Sequence, residues 1–391
     1  MFMLMLCLFV KASPQQHRTV IISLDGCRWD YPELYDMPSI DEIGHDGVKA
    51  IMKPSFPSVT FPNHYTLATG LVPDHHGIIA NTFYDKESGL TFSLGNHETK
   101  SNPRFWGGEP IWITAQKQGL KVGVVYWPGS DVKIMGTYPT YYKDYDKKPL
   151  LTYSERIVEI ERMLKMPKDK RPQLIMAYFD NPDHMGHTFG PESKQTRKSV
   201  EELDCLIGQL YHDIKEMPDG KDINLIITSD HGMTRTMNDR IVNIEKLLDK
   251  KWFERITYGF PTLVFPKKGC EKKILKALAD VPHIHTWEKG KVPAYLSYGT
   301  NKNIPSIIVC PDLGWAISSH ADVIAGHHGF DPEYGDMQVI FRAVGPDFKH
   351  GYVKQDKFRN TSVYPLLAHL LGIIPAKCDG ELTPLNDILN K

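Results

Sequence analysis

The chain has 391 residues, long for a single domain but within the range of a large α/β enzyme built on one sheet. It is 41% apolar, 10% aromatic and 24% charged, which excludes wholesale disorder and provides for a sizeable core. With 46 basic residues against 47 acidic ones, the formal charge of −1 gives no sign of a nucleic-acid duplex as partner.

The opening run MFMLMLCLFVKAS is almost wholly apolar over residues 1–10, too short to span a bilayer, and ends in small residues suited to signal peptidase. It predicts a leader over 1–13 and a secreted or periplasmic mature chain, with a membrane-anchored form as the alternative. Removing it would leave Cys27, Cys205, Cys270, Cys310 and Cys378. That odd, scattered set matches neither a disulfide framework nor a zinc knuckle.

One domain is expected over 18–385. It opens with HRTVIISLDG, a β-branched run that reads as a buried strand with Asp25 at its carboxyl end. In KPSFPSVTFPNHYTLATG three prolines lead into a helical run. Pro62 suits the first turn of that helix and puts Thr60 or Phe61 at the N-cap. A hydroxyl there is either a cap or a nucleophile.

Farther along, KVGVVYW (121–127) reads as a strand and 152–165 as a helix. QLIMAYFD (173–180) and INLIITSD (223–230) repeat the design of an apolar strand followed by an acid. Between them Val200, Leu203, Ile207, Leu210 and Ile214 recur at spacings of three and four, predicting one amphipathic helix over 192–216. Strands alternating with helices predict an α/β fold with a mostly parallel sheet flanked by helices. Its site should collect beyond the carboxyl ends of the strands. Residues 241–325 carry shorter strands, a Lys-rich helix near 271–280 and Pro/Gly turns, which predicts a small inserted α+β subdomain. A last helix is expected at 361–372.

The polar residues at those strand ends are Asp25; Asp180, Asp183, His184 and His187; Asp230 and His231; and His327 and His328. Singly, each reads as a cap or a structural residue. Together, four segments bring Asp and His, suitable zinc donors, to one sheet edge. So many carboxylates would repel one another without a cation. The set exceeds one tetrahedral site, and paired metals suit phosphoryl transfer. Spacing leaves two choices open: Asp180/His184 against Asp183/His187, and His327 against His328. A metal beside Thr60 would lower the hydroxyl pKa, and a helix N-terminus attracts phosphate, so cap and nucleophile are compatible readings.

The segments ISLDGCRWDY, PSFPSVTFPNHYTLATGLVPDHHGIIAN, NPDHMGH, SDHGM and GHHGFD resemble, in this order, the nucleotide pyrophosphatase/phosphodiesterase family of the alkaline phosphatase superfamily. The resemblance covers almost the whole mature chain and implies a stand-alone catalytic domain with two zinc ions. It implies Asp183, His187 and His328 at one ion, and Asp25, Asp230, His231 and Thr60 at the other. It further implies Thr60 as nucleophile of two successive displacements through a phospho-threonine ester. Asn81 matches a phosphate-contacting amide, and Phe61 an aromatic that stacks on a nucleobase. The implied substrates are nucleotides and other small phosphodiesters or pyrophosphates. A phosphocholine-lipid or phosphonate hydrolase on the same metals is the second reading, and a catalytically silent binding protein the third. The aromatic-rich stretch 126–145 offers Tyr138, Tyr141 and Tyr145 as walls for a base or headgroup, or simply as loop anchors.

Overall fold

Uninterrupted aliphatic and β-branched runs need cover on both faces, and here they occupy the middle of the main sheet. In the computed structural model, which describes residues 17–390, Arg18–Leu24, Leu174–Phe179 and Ile223–Thr228 lie parallel side by side, every residue buried. Val122–Val125 and then Tyr141–Lys143 extend the sheet in parallel beyond Leu174–Phe179. On the other flank Val339–Val344 joins antiparallel, followed by Val48–Lys53 and the short strands Tyr352–Val353 and Phe358–Arg359. This nine-stranded sheet has the α/β character expected, mixed through the one antiparallel strand. The expected leader over 1–13 lies outside the described residues.

Alternation along the strands splits the core between two faces. Ile21, Met176, Ile226 and Phe341 pack on one side with helices Thr60–Thr69, Ile111–Lys117 and Val363–Leu370. Val20, Ile22, Ile175, Ala177, Leu225 and Ile227 pack on the other with Pro38–Asp46, Tyr153–Leu164 and Lys194–Glu216. Tyr153–Leu164 starts at a capping box between Thr152 and Glu155, and Lys194–Glu216 at the Ser193 hydroxyl. The last helix is shorter than its pattern predicts, because Asn360–Ser362 form a 3₁₀ turn ahead of it.

A separate antiparallel sheet orders its strands Phe253–Thr257, Thr262–Pro266, Ile307–Pro311 and Ile284–Glu288. Helix Glu271–Leu278 covers it through Ile274 and Leu278, which meet Val264, Ile307 and Val309 in a core of their own. The five described cysteines are unpaired. Among the described residues no helix is long and apolar enough to cross a membrane.

Candidate active site

The three central strands are parallel, so Leu24, Phe179 and Thr228 end at one edge, and the acids that follow them are delivered there. Asp25 N–H donates to the Phe179 carbonyl and Asp183 N–H to the Asp25 carbonyl, both at 2.9 Å. Gly26 makes this approach feasible. Its φ is +71°, and a Cβ there would stand 2.9 Å from Asp183 Cα and Cβ.

Helix Asp183–Phe189 sets His187 one turn after Asp183, on the same face. His187 Nε2 lies 3.3 Å from Asp183 Oδ2 and 3.1 Å from His328 Nε2. His328 Nε2 is 3.5 Å from Asp183 Oδ1. Backbone carbonyls hold the opposite ring nitrogens, Gly326 at 2.8 Å from His187 Nδ1 and Ser58 at 3.0 Å from His328 Nδ1. Both Nε2 atoms are thereby turned inward, as ligand imidazoles are when their far nitrogen is anchored.

His231 repeats the arrangement. Its Nδ1 faces the Gly232 carbonyl at 2.9 Å, and its Nε2 stands 3.0 Å from Asp230 Oδ2 and 3.3 Å from Asp25 Oδ1. Thr60 Oγ1 is 3.1 Å from the same Nε2. The His231 and His328 rings stack at 3.5 Å and 9°. Asp183 belongs to two candidate metal groups, with His187 and His328 and with Asp25 and His231, the donor atoms of each within 4.8 Å of one another.

Of the alternatives that spacing left open, the structure brings Asp183/His187 into the centre. Asp180 turns to Arg156 at 3.0 Å, and His184 is exposed. His327 packs its ring on Phe260 at 3.9 Å and stands in neither metal group.

These residues fit a pair of divalent cations on chemical grounds. Asp25 Oδ1, Asp183 Oδ1 and Asp230 Oδ2 are buried and accept no hydrogen bond among the described residues. Burial pushes the Asp25 carboxyl well above the usual range, with repulsion from Asp230 and Asp183 adding to it. Burial likewise raises Asp183. Burial works on Asp230 too, but His231 and His64 together outweigh it and hold that carboxyl well below the ordinary value. Burial, helped by His231 and His187, drives His328 well below the usual imidazole range. Orphaned carboxylate oxygens beside inward-turned imidazole nitrogens are the oxygen and nitrogen donors that zinc accepts.

Thr60 differs from its sequence reading. Helix Thr60–Thr69 begins at Thr60, the extended Val59 occupies the N-cap, and neither Thr60 nor Phe61 caps it. Asn63 organises the approach instead. Its Nδ2 donates to the Pro57 and Val59 carbonyls at 2.8 and 2.9 Å, and its Oδ1 accepts from Ser55 N–H at 2.8 Å. The Thr60 hydroxyl is left for the centre. Few helix N–H groups remain for an anion: Phe61 N–H donates to Asn81 Oδ1 at 3.0 Å, Asn63 N–H to the Val59 carbonyl at 3.1 Å, and Pro62 has none. With its oxygen so used, Asn81 presents its amide nitrogen as a donor.

A cavity of about 210 Å³ adjoins the centre, lined by Asp25, Thr60, Phe61 and Asp183 together with Leu94, Lys100, Trp127, Asp131, Tyr145 and Tyr178. Tyr138 and Tyr141, expected as pocket walls, are not among them. Tyr138 stacks on Tyr142 at 5.0 Å, and the Tyr141 hydroxyl donates to the Lys170 carbonyl at 2.9 Å. Of the three tyrosines expected there Tyr145 reaches the cavity, and Tyr126 from the start of the same stretch lines it too. Sequence reasoning missed Tyr178, whose hydroxyl donates to Asp25 Oδ2 at 2.6 Å, and His64, which lies 3.3 Å from Asp230 Oδ2. Signals existed for both. Tyr178 stands two residues before Asp180 on a strand end, and His64 one helical turn after Thr60. Trp127 follows a strand in the same way, but Lys100 ends the short helix His97–Lys100, which no periodicity marks. Burial raises the Asp131 carboxyl to about 6, against the pull of Lys100.

Arg156 ties the cavity wall together. It is 2% exposed, donates from Nη1 to the Tyr178 carbonyl at 2.9 Å, and lies over the rings of Tyr126 and Tyr153 at 4.9 Å. Arg156→Met should therefore destabilise the fold by about 2–4 kcal/mol, since a buried carbonyl and Asp180 lose their partner. Arg156→Lys should recover only part of this, because an ammonium cannot serve the fork and the rings at once. Urea unfolding of the two variants checks both outcomes.

The family profile for type I phosphodiesterase / nucleotide pyrophosphatase matches residues 19–331. The chain is 36% identical to ectonucleotide pyrophosphatase/phosphodiesterase family member 7 of Rattus norvegicus, over 96% of this chain and 88% of that protein. It is 35% identical to family member 5 of Homo sapiens, over 96% of this chain and 79% of that one. Among solved structures it resembles murine ectonucleotide pyrophosphatase/phosphodiesterase 5, described as an inactive threonine-to-alanine variant in complex with AMP. The TM-score is 0.90 at 32% identity, covering 96% of this chain and all of that one.

Proposed function

The chain belongs to the type I phosphodiesterase / nucleotide pyrophosphatase family, and from that premise we propose that Thr60 is the nucleophile in its hydrolysis of nucleotide phosphodiester and pyrophosphate bonds. The observation that carries this reading is the position of the Thr60 hydroxyl, 3.1 Å from His231 Nε2, beside two donor groups that share Asp183. The murine relative, inactive with its threonine replaced and solved with AMP, supports it.

Asp183, His187 and His328 would hold one zinc ion, and Asp25, Asp230 and His231, with Thr60, the other. Zinc there supplies Lewis acidity, which withdraws charge from a hydroxyl and from phosphate oxygens. Thr60 Oγ1, its proton released, forms the new bond to phosphorus as the bond to the leaving oxygen breaks. Water then attacks the threonyl phosphate in the second displacement and frees the hydroxyl. The Asn81 amide nitrogen and the Thr60 N–H donate to a non-bridging oxygen as charge builds on it. Tyr178 holds Asp25 from behind, and Phe61 offers a ring face to the group attached to the phosphate.

Phe61→Ala should raise KM for a nucleotide diester about tenfold and leave kcat nearly unchanged, the signature of a lost stacking contact. Michaelis kinetics would show it, and a fall in kcat with constant KM would contradict the role. We also place the protein outside the cytoplasm, which the apolar opening run and the extracellular naming of its relatives support.

The decisive experiment compares hydrolysis of a nitrophenyl nucleotide ester, nitrophenyl phosphate and a phosphocholine ester by the purified zinc-replete chain. The nucleotide ester should be turned over fastest, and dominant phosphocholine turnover would replace the substrate assignment.

A further inference from the structure

A second cavity, of about 180 Å³, shares Phe56 with the loop that leads to Thr60 and Asp331 with the segment that follows His328. Its other walls come from the antiparallel sheet and the loop beside it: His285, Trp287, Tyr295 and, from the catalytic side, Tyr334. His285 and Trp287 are alternate residues of Ile284–Glu288 and so project to one face, their rings parallel within 8°. Four benzenoid or indole rings and an imidazole thus converge with one carboxylate.

That carboxylate lacks a countercharge. Asp331 accepts from the Tyr295 hydroxyl and from Glu333 N–H at 2.9 Å, and among the described residues no Lys, Arg or His pairs with it. Asp312 is a second acid nearby, outside the cavity lining and held by His285 Nε2 at 3.0 Å and His283 Nδ1 at 3.2 Å. Burial, and after it Asp312 and Asp331, raise the Tyr334 hydroxyl, so both acids act on this region. Elsewhere the chain sets its own cations over nine aromatic rings, but among the described residues none lies over Phe56, Trp287, Tyr295 or Tyr334.

We propose that this cavity binds a small organic cation, an alkylammonium group, between the aromatic faces and Asp331, apart from the catalytic centre. Ring faces carry negative potential and attract a desolvated ammonium. Asp331 supplies the matching charge at close range. An anion would meet the Asp331 carboxylate, and a neutral group would gain the ring contacts but leave the charge unmatched. The proposal is independent of the reaction assigned to Thr60.

The test is calorimetric titration of the full zinc-replete chain with tetramethylammonium chloride, at ionic strength held constant with sodium chloride. Saturable one-site binding is expected, together with at least tenfold weaker binding of tert-butyl alcohol, a neutral group of similar shape. Asp331→Asn and Trp287→Leu should each weaken the cation about tenfold, the scale of a lost charge or ring contact. Saturating AMP should leave the affinity unchanged. Circular dichroism establishes that the variants fold, and the half-exposed Tyr334→Leu replaces any that does not, with the same loss expected. Absence of saturable binding, equal affinity for the alcohol, unchanged affinity in the folded variants, or displacement by AMP would each overturn the assignment.

Discussion

Replacing Thr60 by alanine is expected to lower turnover of a nucleotide diester by at least about a thousandfold while leaving the fold intact. The size follows from what the variant removes. The metal groups, the Asn81 amide and the cavity all remain, so binding should persist, but no covalent ester can form. The hydroxyl caps nothing and, among the described residues, its hydrogen-bonding neighbour is His231, so helix Thr60–Thr69 should not suffer. Thr60→Ser should restore much of the rate, because it keeps an oxygen at the same position. Steady-state kinetics, with thermal melts as the control for folding, measure all three. Turnover within tenfold of the parent in a folded alanine variant would remove Thr60 from the reaction.

The fate of this threonine shows where sequence reasoning worked and where it failed. Apolar runs ending in an acid announced three central strands and the edge at which their acids meet, because two-sided burial leaves no other place for such runs. Helix limits set by side-chain caps, as at Thr152 and Ser193, were legible to within two residues. Cap geometry at Thr60 was not, because it depends on Asn63 reaching back to Pro57 and Val59, a contact with no periodic mark. Spacing could not choose between Asp180 and Asp183 either. That choice rests on Arg156, 24 positions before Asp180, which claims the first carboxylate and leaves the second for the histidines. Tyr138 and Tyr141 were misjudged for a related reason: composition suggests a wall, but pairing with Val122–Val125 carries Tyr141 to the sheet edge.

Metal removal should have the second large effect, and it separates the two donor groups. The zinc-replete chain should hold about two ions, since the donors exceed one tetrahedral set. Chelation should abolish turnover and lower the melting temperature by on the order of 5–10 °C, because ions bound only by the folded state stabilise it by several kcal/mol. The direction follows from the site itself: without cations, Asp25 and Asp183 are buried carboxyls pushed toward protonation, a cost that the unfolded chain does not bear. His187→Ala removes a donor from one group only, so about one ion should remain. Asp25→Asn removes a donor from the other group only, so it too should leave about one ion, the one assigned to Asp183, His187 and His328. Elemental analysis after gel filtration, beside thermal melts, reads both quantities without any assay of activity. If either folded variant kept two ions, the assignment of its residue to that ion would fail, and a zinc-replete parent chain holding only one ion would overturn the paired-metal reading.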